Sequence, residues 1–300
     1  MSLPEFLIEN LKNQYGEEIT EKIIDGYSKK RYTTLRVNSI KTNKESLIKE
    51  LQENNIEFEK VSWYDDAFII KNVREKEIQE LNAYQNGEIY LQSLSSMLPP
   101  VVLNPQEGMD ILDMAAAPGG KTTQMAALSN NKAHITACEL NKIRAEKLKF
   151  NIEKQGASCV YIMPKDSRNL DDFFSFDQIL LDAPCSGSGT LNINDANLLK
   201  YFTEVLVKKS VTSQLALLRK AVKVLKKGRE MVYSTCSILA KENEEVVEKV
   251  LRENKNLEIV PIEFEGIDEL PLLPTKLLGT LCIAPTELYE GFYVVKIKKK

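Results

Sequence analysis

Two cysteines in this chain stand among hydroxyl residues and glycine rather than among apolar ones, which is the setting of a reactive thiol. Cys185 lies in Asp182-Ala-Pro-Cys-Ser-Gly187 and Cys236 in Ser234-Thr-Cys-Ser237, and each segment follows an apolar, β-like run. A thiolate adds to an electrophilic carbon, and position alone does not rank one of these thiols above the other. Cys138 and Cys159 fall inside β-like runs and read as buried, inert thiols. With Cys282 the cysteines number five, with no CxxC pair and no histidine at zinc-like spacing, so free thiols are expected and neither a disulfide framework nor a metal site. The single histidine, His134, opens the apolar run to Cys138 and reads as a strand residue, which leaves no ready Cys-His or Ser-His relay.

A second group of residues suits a nucleoside ligand. Asp113-Met-Ala-Ala-Ala-Pro-Gly-Gly-Lys-Thr122 leaves a β-like run and opens a helix, so that a tight glycine turn brings backbone N–H groups toward an anionic group. A P-loop would need glycine where Ala115 stands, which argues against an NTPase, and alone the segment fits a packing turn equally well. Glu139 ends the next β-like run about 20 residues on, where a carboxylate can hold ribose hydroxyls. Asp166, in Pro164-Lys-Asp-Ser-Arg168, follows the third run, where it could accept a hydrogen bond from an adenine amino group. A glycine turn, Glu139 and Asp166 at three successive strand ends together resemble an S-adenosylmethionine site.

The elements that must position these residues are legible from residue 109 onward. β-like runs at 109–114, 133–139, 159–163, 177–182 and 230–234 alternate with helical patterns at 122–129, 142–155, 204–225 and 241–253. That alternation predicts a parallel sheet covered on both faces, whose carboxyl edge collects the motifs. Two late pieces, 281–284 and 292–297, are expected to pair antiparallel at the sheet edge. Residues 1–75 read as a small α+β module and residues 76–108 as a connector whose helix stops at Pro99-Pro100. The catalytic domain is then expected to span 109–300.

Composition bounds the rest. With 300 residues, 43% apolar and 28% charged, the chain is expected to be globular and cytoplasmic, since it lacks a secretory signal and any apolar run of about eighteen residues. The net charge of -3 argues against indiscriminate polyanion binding, while clusters such as Lys29-Lys-Arg31 and Lys226-Lys227 leave room for a local basic stripe.

Taken together, residues 113–122, 181–187 and 233–237 resemble the signature of the NOL/NOP/Sun family of RNA cytosine-5 methyltransferases. The resemblance extends through Leu35-Arg-Val-Asn38, Gln92-Ser-Leu-Ser-Ser-Met97 and Glu290-Gly-Phe-Tyr293, nearly the whole chain. In length and in residues 95–105 the chain is similar to short archaeal-type members that modify transfer RNA. The resemblance implies a Rossmann-like class I methyltransferase sheet, mostly parallel with an antiparallel edge strand, beside an RRM-like RNA-binding module. It implies S-adenosylmethionine as cofactor, held by Ala115, Ala116, Ala117, Pro118, Gly119, Gly120, Lys121, Glu139, Asp166 and Asp182. It also implies an RNA substrate (transfer or ribosomal), RNA contacts from Arg36 and Asn38, and no metal. Nothing demands a dimer, so a monomer is expected.

The implied chemistry needs a thiolate to add at C6 of the base, which makes C5 nucleophilic. By the resemblance Cys236 attacks, Asp182 holds the N3/N4 edge, Cys185 assists the elimination that frees the product, and Lys121 orients Asp182 or steadies the Cys236 thiolate. DNA cytosine methyltransferases would place the nucleophile in Pro184-Cys185, but they lack the Ser-Thr-Cys-Ser partner. Three departures stand out. Ala115 replaces a frequent cysteine, residues 190–197 lack the Arg/Pro-rich character of many members, and Cys282 stands where relatives often carry arginine. No further RNA-binding domain of the kind some ribosomal RNA enzymes append is expected. Two other readings are a methyltransferase of DNA or protein and a catalytically idle RNA-binding scaffold. Two exposed-type thiols beside a cofactor constellation speak against the scaffold, which has no need of them.

Overall fold

The computed structural model of the chain describes residues 3–300, apart from the side chain of Leu198. The N-terminal helices α1 (Glu5–Tyr15) and α2 (Glu17–Ser28) meet at Gly16, whose φ of +80° suits glycine. Leu7, Leu11, Tyr15, Ile23 and Tyr27 line their buried faces and belong to the same core as Leu112, Ile179 and Leu181 of the large sheet; Tyr15 Oη donates to Ile238 O and Tyr27 Oη to Ser188 O, both at 2.6 Å. Next come β1 (Thr33–Val37), α3 (Lys44–Glu53), β2 (Phe58–Lys60), β3 (Ala67–Ile70), α4 (Glu75–Gln79), α5 (Asn82–Gln85) and β4 (Ile89–Leu91). Their four strands form an antiparallel sheet in the order β2-β3-β1-β4, with its own core around Leu35, Leu47, Phe68 and Ile89.

The expected boundaries at 75 and 108 therefore do not follow the packing. β4 lies in the supposed connector yet completes the first sheet, and α1 and α2 bury their apolar stripes against the second. The proline stop is also corrected: α6 (Leu94–Leu103) runs through Pro99 and Pro100. Pro100 has no N–H for the Ser96 carbonyl, and the side-chain amide of Gln92 donates to that carbonyl instead, at 3.0 Å.

The large sheet contains β5 (Asp110–Asp113), β6 (His134–Cys138), β7 (Val160–Met163), β8 (Phe176–Asp182), β9 (Leu225–Thr235), β10 (Leu257–Val260), β11 (Leu281–Ile283) and β12 (Phe292–Lys299). Its order is β10-β12-β9-β8-β5-β6-β7, with β5 to β9 parallel to one another and β11 paired to β12. The helices between are α7 (Gly120–Leu128), α8 (Lys142–Gln155), α9 (Ala196–Tyr201), α10 (Glu204–Val224) and α11 (Glu244–Glu253). Successive strand residues face opposite layers. Ile111, Leu180 and Val232 pack with Met125, Leu148 and Ile152 of α7 and α8, while Leu112, Leu181 and Tyr233 pack with Leu218 and Val247 of α10 and α11. Each such buried aliphatic side chain contributes about 1.5 to 3 kcal/mol of transfer free energy.

The late strands β11 and β12 do pair antiparallel, but β12 sits one place in from the edge. The polar-looking run Leu257-Glu-Ile-Val260 adds β10 outside it. β9 begins at Leu225, directly after α10, and not at residue 230. Among the described residues no helix is long and apolar enough to cross a membrane.

Candidate active site

Because β8 and β9 are parallel neighbours in register, with Asp182 opposite Ser234, the segments that follow them leave the sheet side by side. The Ala183 N–H donates to Ser234 O (2.8 Å) and the Gly189 N–H to Cys236 O (3.0 Å), which zips the two loops together. Cys185 and Cys236 thereby bring their Sγ atoms to 2.9 Å of each other, both half-buried. The Cys185 thiol is held well above its usual range, first by its contact with Cys236, then by burial and by the charges of Cys236 and Glu242. Burial pushes Cys138 to about 12, Cys159 to about 11 and Cys282 to about 12, so these three thiols stay protonated near neutrality. Cys159 lies in the turn before β7 and is half-buried, not inside the strand. His134 is exposed at the start of β6, at the opposite edge of the sheet from the thiols.

Cys236 lines a cavity of about 330 Å³ with Asp113, Asp182, Lys121 and the loop 115–118. Lys121, its side chain 15% exposed, gives its ammonium to Asp182 Oδ2 (2.9 Å) and Ser96 Oγ (2.6 Å). Asp182 Oδ1 accepts from Ser234 Oγ at 2.8 Å. Burial alone would lower the Lys121 pKa, but the charge and hydrogen bond of Asp182, with Cys236 and Asp113 adding, raise it instead, so the ammonium persists. At the end of β5, Asp113 is buried and its pKa climbs to about 6 through burial, despite a hydrogen bond from Thr122 Oγ1 (2.7 Å). Phe292 and Glu290 close another wall. Behind them Gly291 and Gly189 lie back to back, so close that a Cβ on either would overlap backbone atoms of the other, and the Gly291 N–H donates to Gly189 O at 2.8 Å.

The glycine turn opens α7 as expected. Gly119 holds φ +109°, a conformation open to glycine, and its carbonyl accepts from the Thr123 N–H (2.9 Å). Arg144 Nη2 takes the Ala117 carbonyl (2.7 Å) and Asn151 Nδ2 the Pro118 carbonyl (2.8 Å), so side chains of α8 satisfy the outward carbonyls of the loop. Ala115, Ala116, Ala117, Pro118, Gly120 and Lys121 line the cavity, whereas Gly119 faces Leu148 beneath the loop.

Beyond Ala115 lies a second cavity of about 240 Å³, lined by Glu139, Asp166, Arg144 and Arg168. Glu139 is 5% exposed, and its Oε1 accepts from the Asn141 N–H (2.9 Å). Its Oε2 is buried with no hydrogen bond and lies 3.3 Å from Arg144 Nη1, so a buried acceptor awaits a donor such as a hydroxyl. Asp166 is chelated by Arg168 (Nη2 at 2.6 Å, Nε at 3.0 Å), and those hydrogen bonds hold its carboxyl below the usual range. Two cavities joined at a glycine turn, one with a buried carboxylate oxygen that lacks a hydrogen bond, fit the two ends of an adenosyl amino-acid ligand.

The structure corrects two of the expected residues. Arg36 and Asn38, expected to touch RNA, are both fully buried. The Arg36 guanidinium bonds Gln92 Oε1 (2.9 Å), Thr123 Oγ1 (2.8 Å) and Gly120 O (3.1 Å), and Asn38 Nδ2 donates to Gly87 O and Gln155 O (both 2.8 Å). They fasten β1 to α7 and α8. Residues with no expected role also enter the site: Asp113, Ser96, Gln92, Glu290 and Phe292. All five lie in segments that carried the family resemblance, so a signal was present without a role attached.

Comparison with known proteins matches both parts of the chain. The family model described as 16S rRNA methyltransferase RsmB/F matches residues 100–298. One described as an RsmF/B-like, ferredoxin-like domain matches residues 3–75. Ribosomal RNA small subunit methyltransferase F of Shewanella piezotolerans is 35% identical over 93% of this chain and 60% of its own length. The protein named probable ribosomal RNA small subunit methyltransferase B in Bacillus subtilis is 32% identical, covering 100% of this chain and 67% of its own. The chain thus spans about three-fifths to two-thirds of the length of these relatives. Among solved structures, NSun6 from Pyrococcus horikoshii with SFG superposes with a TM-score of 0.86 at 26% identity, covering 99% of this chain and 98% of that one.

Proposed function

The chain belongs to the 16S rRNA methyltransferase RsmB/F family, and from that premise we propose that it methylates C5 of a cytosine in RNA through a covalent cysteine adduct. The names of its relatives favour ribosomal RNA as the substrate class. The observation that carries the reading is the pair of thiols in contact at 2.9 Å, one of them facing a cavity that also holds the Lys121–Asp182 pair. A scaffold has no use for such a pair, and a protein or O-methyltransferase needs no second thiol.

The fold uses S-adenosylmethionine, which supplies an electrophilic methyl group when bound. Glu139 and Asp166 line the cavity suited to its nucleoside part, and Asp113, residues 115–118 and 120, Lys121 and Asp182 line the other. Cys236, which lines the same cavity as Lys121 and Asp182, would add as its thiolate to C6 of the base, breaking the C5=C6 π bond so that C5 becomes the nucleophile that takes the methyl group. Asp182, kept in place by Lys121 and Ser234, meets the N3/N4 edge and supports protonation there as negative charge moves onto the ring. Cys185, its Sγ 2.9 Å from that of Cys236, assists the elimination in which the C5 proton leaves as the C6–S bond breaks, freeing Cys236 from the product. A base enters this cavity only out of its stack, so the target lies in a loop or is flipped from one.

The test is adduct trapping with RNA that contains 5-fluorocytosine, in the presence of cofactor. Cys236→Ala is expected to form no adduct, while Cys185→Ala accumulates an unreleased complex on ordinary RNA. The reverse pattern would make Cys185 the nucleophile. Tritiated methyl transfer to DNA or protein in place of RNA would overturn the substrate class.

A further inference from the structure

The proposed mechanism leaves one buried charge without a task. Glu242, in the 3-10 turn Ala240–Glu242 before α11, is fully buried. Its carboxylate takes hydrogen bonds from neutral donors. The Ser186 N–H (2.7 Å) and Gln214 Nε2 (3.4 Å) donate to Oε1, and Ser186 Oγ and Ser237 Oγ (both 2.6 Å) donate to Oε2. Ser186 follows Cys185 and Ser237 follows Cys236 in the chain. One carboxylate therefore grips the neighbour of each thiol. The grip is reinforced locally: Ser188 Oγ meets Ser237 Oγ at 2.8 Å, Tyr233 Oη donates to the Glu242 carbonyl (2.7 Å), and Asn243 Nδ2 donates to Ser237 O (2.8 Å).

A buried carboxylate is costly unless each lone pair has a donor, and these donors sit on two separate loops. The geometry points to Glu242 as a positioning residue that holds the Cys185 and Cys236 loops in one register, so that both thiols address the same base. This assignment rests on the proposed function for its catalytic meaning, but the register itself does not. The charged and titratable groups around the thiol pair are Lys121, Asp182 and Tyr233 together with Glu242. Of these, Glu242 alone reaches both loops through serine neighbours of the thiols.

Two variants of the full chain separate reach from charge. Glu242→Asp keeps the charge and is one methylene too short to span both serines. Glu242→Gln keeps the reach, since its carbonyl can accept from Ser186 N–H and Gln214 while its amide donates to the two serine hydroxyls. The first readout is cross-linking by dibromobimane, which bridges two nearby thiols, with the bridged peptides found by mass spectrometry. Wild type should bridge Cys185 to Cys236, Glu242→Gln should match it within about twofold, and Glu242→Asp should fall about fivefold or more. The second readout is methyl transfer, in which Glu242→Asp should lose about tenfold in kcat with KM for RNA close to wild type. Cofactor affinity by calorimetry should be unchanged in both variants. Equal cross-linking in Glu242→Asp and wild type overturns the assignment. So does a loss in Glu242→Asp that comes with weakened cofactor binding and a lowered melting temperature, or an equal loss in Glu242→Gln. If wild type methylates no RNA, the functional reading fails while the cross-link still decides whether Glu242 sets the register.

Discussion

Asp113 shows how far a single site of this fold can be moved from its solution behaviour. It is 1% exposed at the end of β5, and burial, with the nearby Asp182 adding, lifts its carboxyl to about 6 against hydrogen bonds from Thr122 and the Ala115 N–H and the charge of Lys121. An unfolded aspartate titrates near 3.9, so between roughly pH 4 and 6 the folded chain holds a proton that the unfolded chain has released. That contribution to stability is present at low pH and is lost as pH rises through the window. Ligand binding has the opposite sign. S-adenosylmethionine is cationic at its sulfonium and favours the carboxylate form of Asp113, so affinity is expected to fall as pH drops below about 6. Calorimetric titrations between about pH 5 and 7.5 measure this, and Asp113→Asn should flatten the profile and weaken binding about tenfold at neutral pH. A wild-type profile that is already flat would remove Asp113 from the binding site. Asp166 provides a contrast in the same titration, because Arg168 keeps it ionised throughout.

At the scale of elements, α6 depends on a side chain outside it. Gln92 serves the Ser96 carbonyl that Pro100 leaves unpaired, accepts from Arg36 Nε and donates to Gln124 Oε1 (3.0 Å). Gln92→Leu strands all three groups in the interior and is expected to cost roughly 2 to 4 kcal/mol in a urea or thermal melt. A change below about 0.5 kcal/mol would show that water replaces the amide. The same helix marks where the sequence was illegible. Two consecutive prolines predict a stop from local rules, and only a glutamine placed by β4 reverses that. β10 was missed because Leu257-Glu-Ile-Val260 is too short and too polar to stand out. The start of β9 was missed because Lys226-Lys-Gly-Arg-Glu230 reads as a loop. The alternation of apolar runs and helices from residue 109 was legible because both faces of that sheet are covered. That the two thiols, the glycine turn, Glu139 and Asp166 would gather at one edge was legible because parallel strands deliver their ends there. Arg36 misled because its partners Gln92, Thr123 and Gly120 come from three other segments, and no local pattern announces the burial of a charge.

At the scale of the molecule, the two sheets share their burial. α1 and α2 share the core of the large sheet, Arg36 and Asn38 fasten β1 to α7 and α8, and Trp63 Nε1 donates to Tyr289 Oη (3.0 Å) across the two halves. We propose that residues 3–108 and 109–300 fold as one unit and not as separable domains. Residues 109–300 expressed alone would expose the surface that Leu7, Leu11, Ile23 and Tyr27 now cover, and the fragment is expected to aggregate or to melt without cooperativity. A monomeric fragment with a sharp thermal transition, seen by size-exclusion chromatography and circular dichroism, would contradict this. The back-to-back glycines carry a consequence for how this architecture can diversify. Any side chain at Gly189 or Gly291 pries the Cys185 loop away from the segment bearing Glu290 and Phe292, so that wall of the pocket cannot move outward by single substitutions. Room for a bulkier nucleobase has to come from other lining side chains, such as Ser93, the N-cap of α6, and Ser96 in its first turn, where a change gives up the hydrogen bond to Glu290 Oε2 (2.8 Å) or to Lys121 (2.6 Å). Laboratory selection for altered base preference should accumulate its changes there.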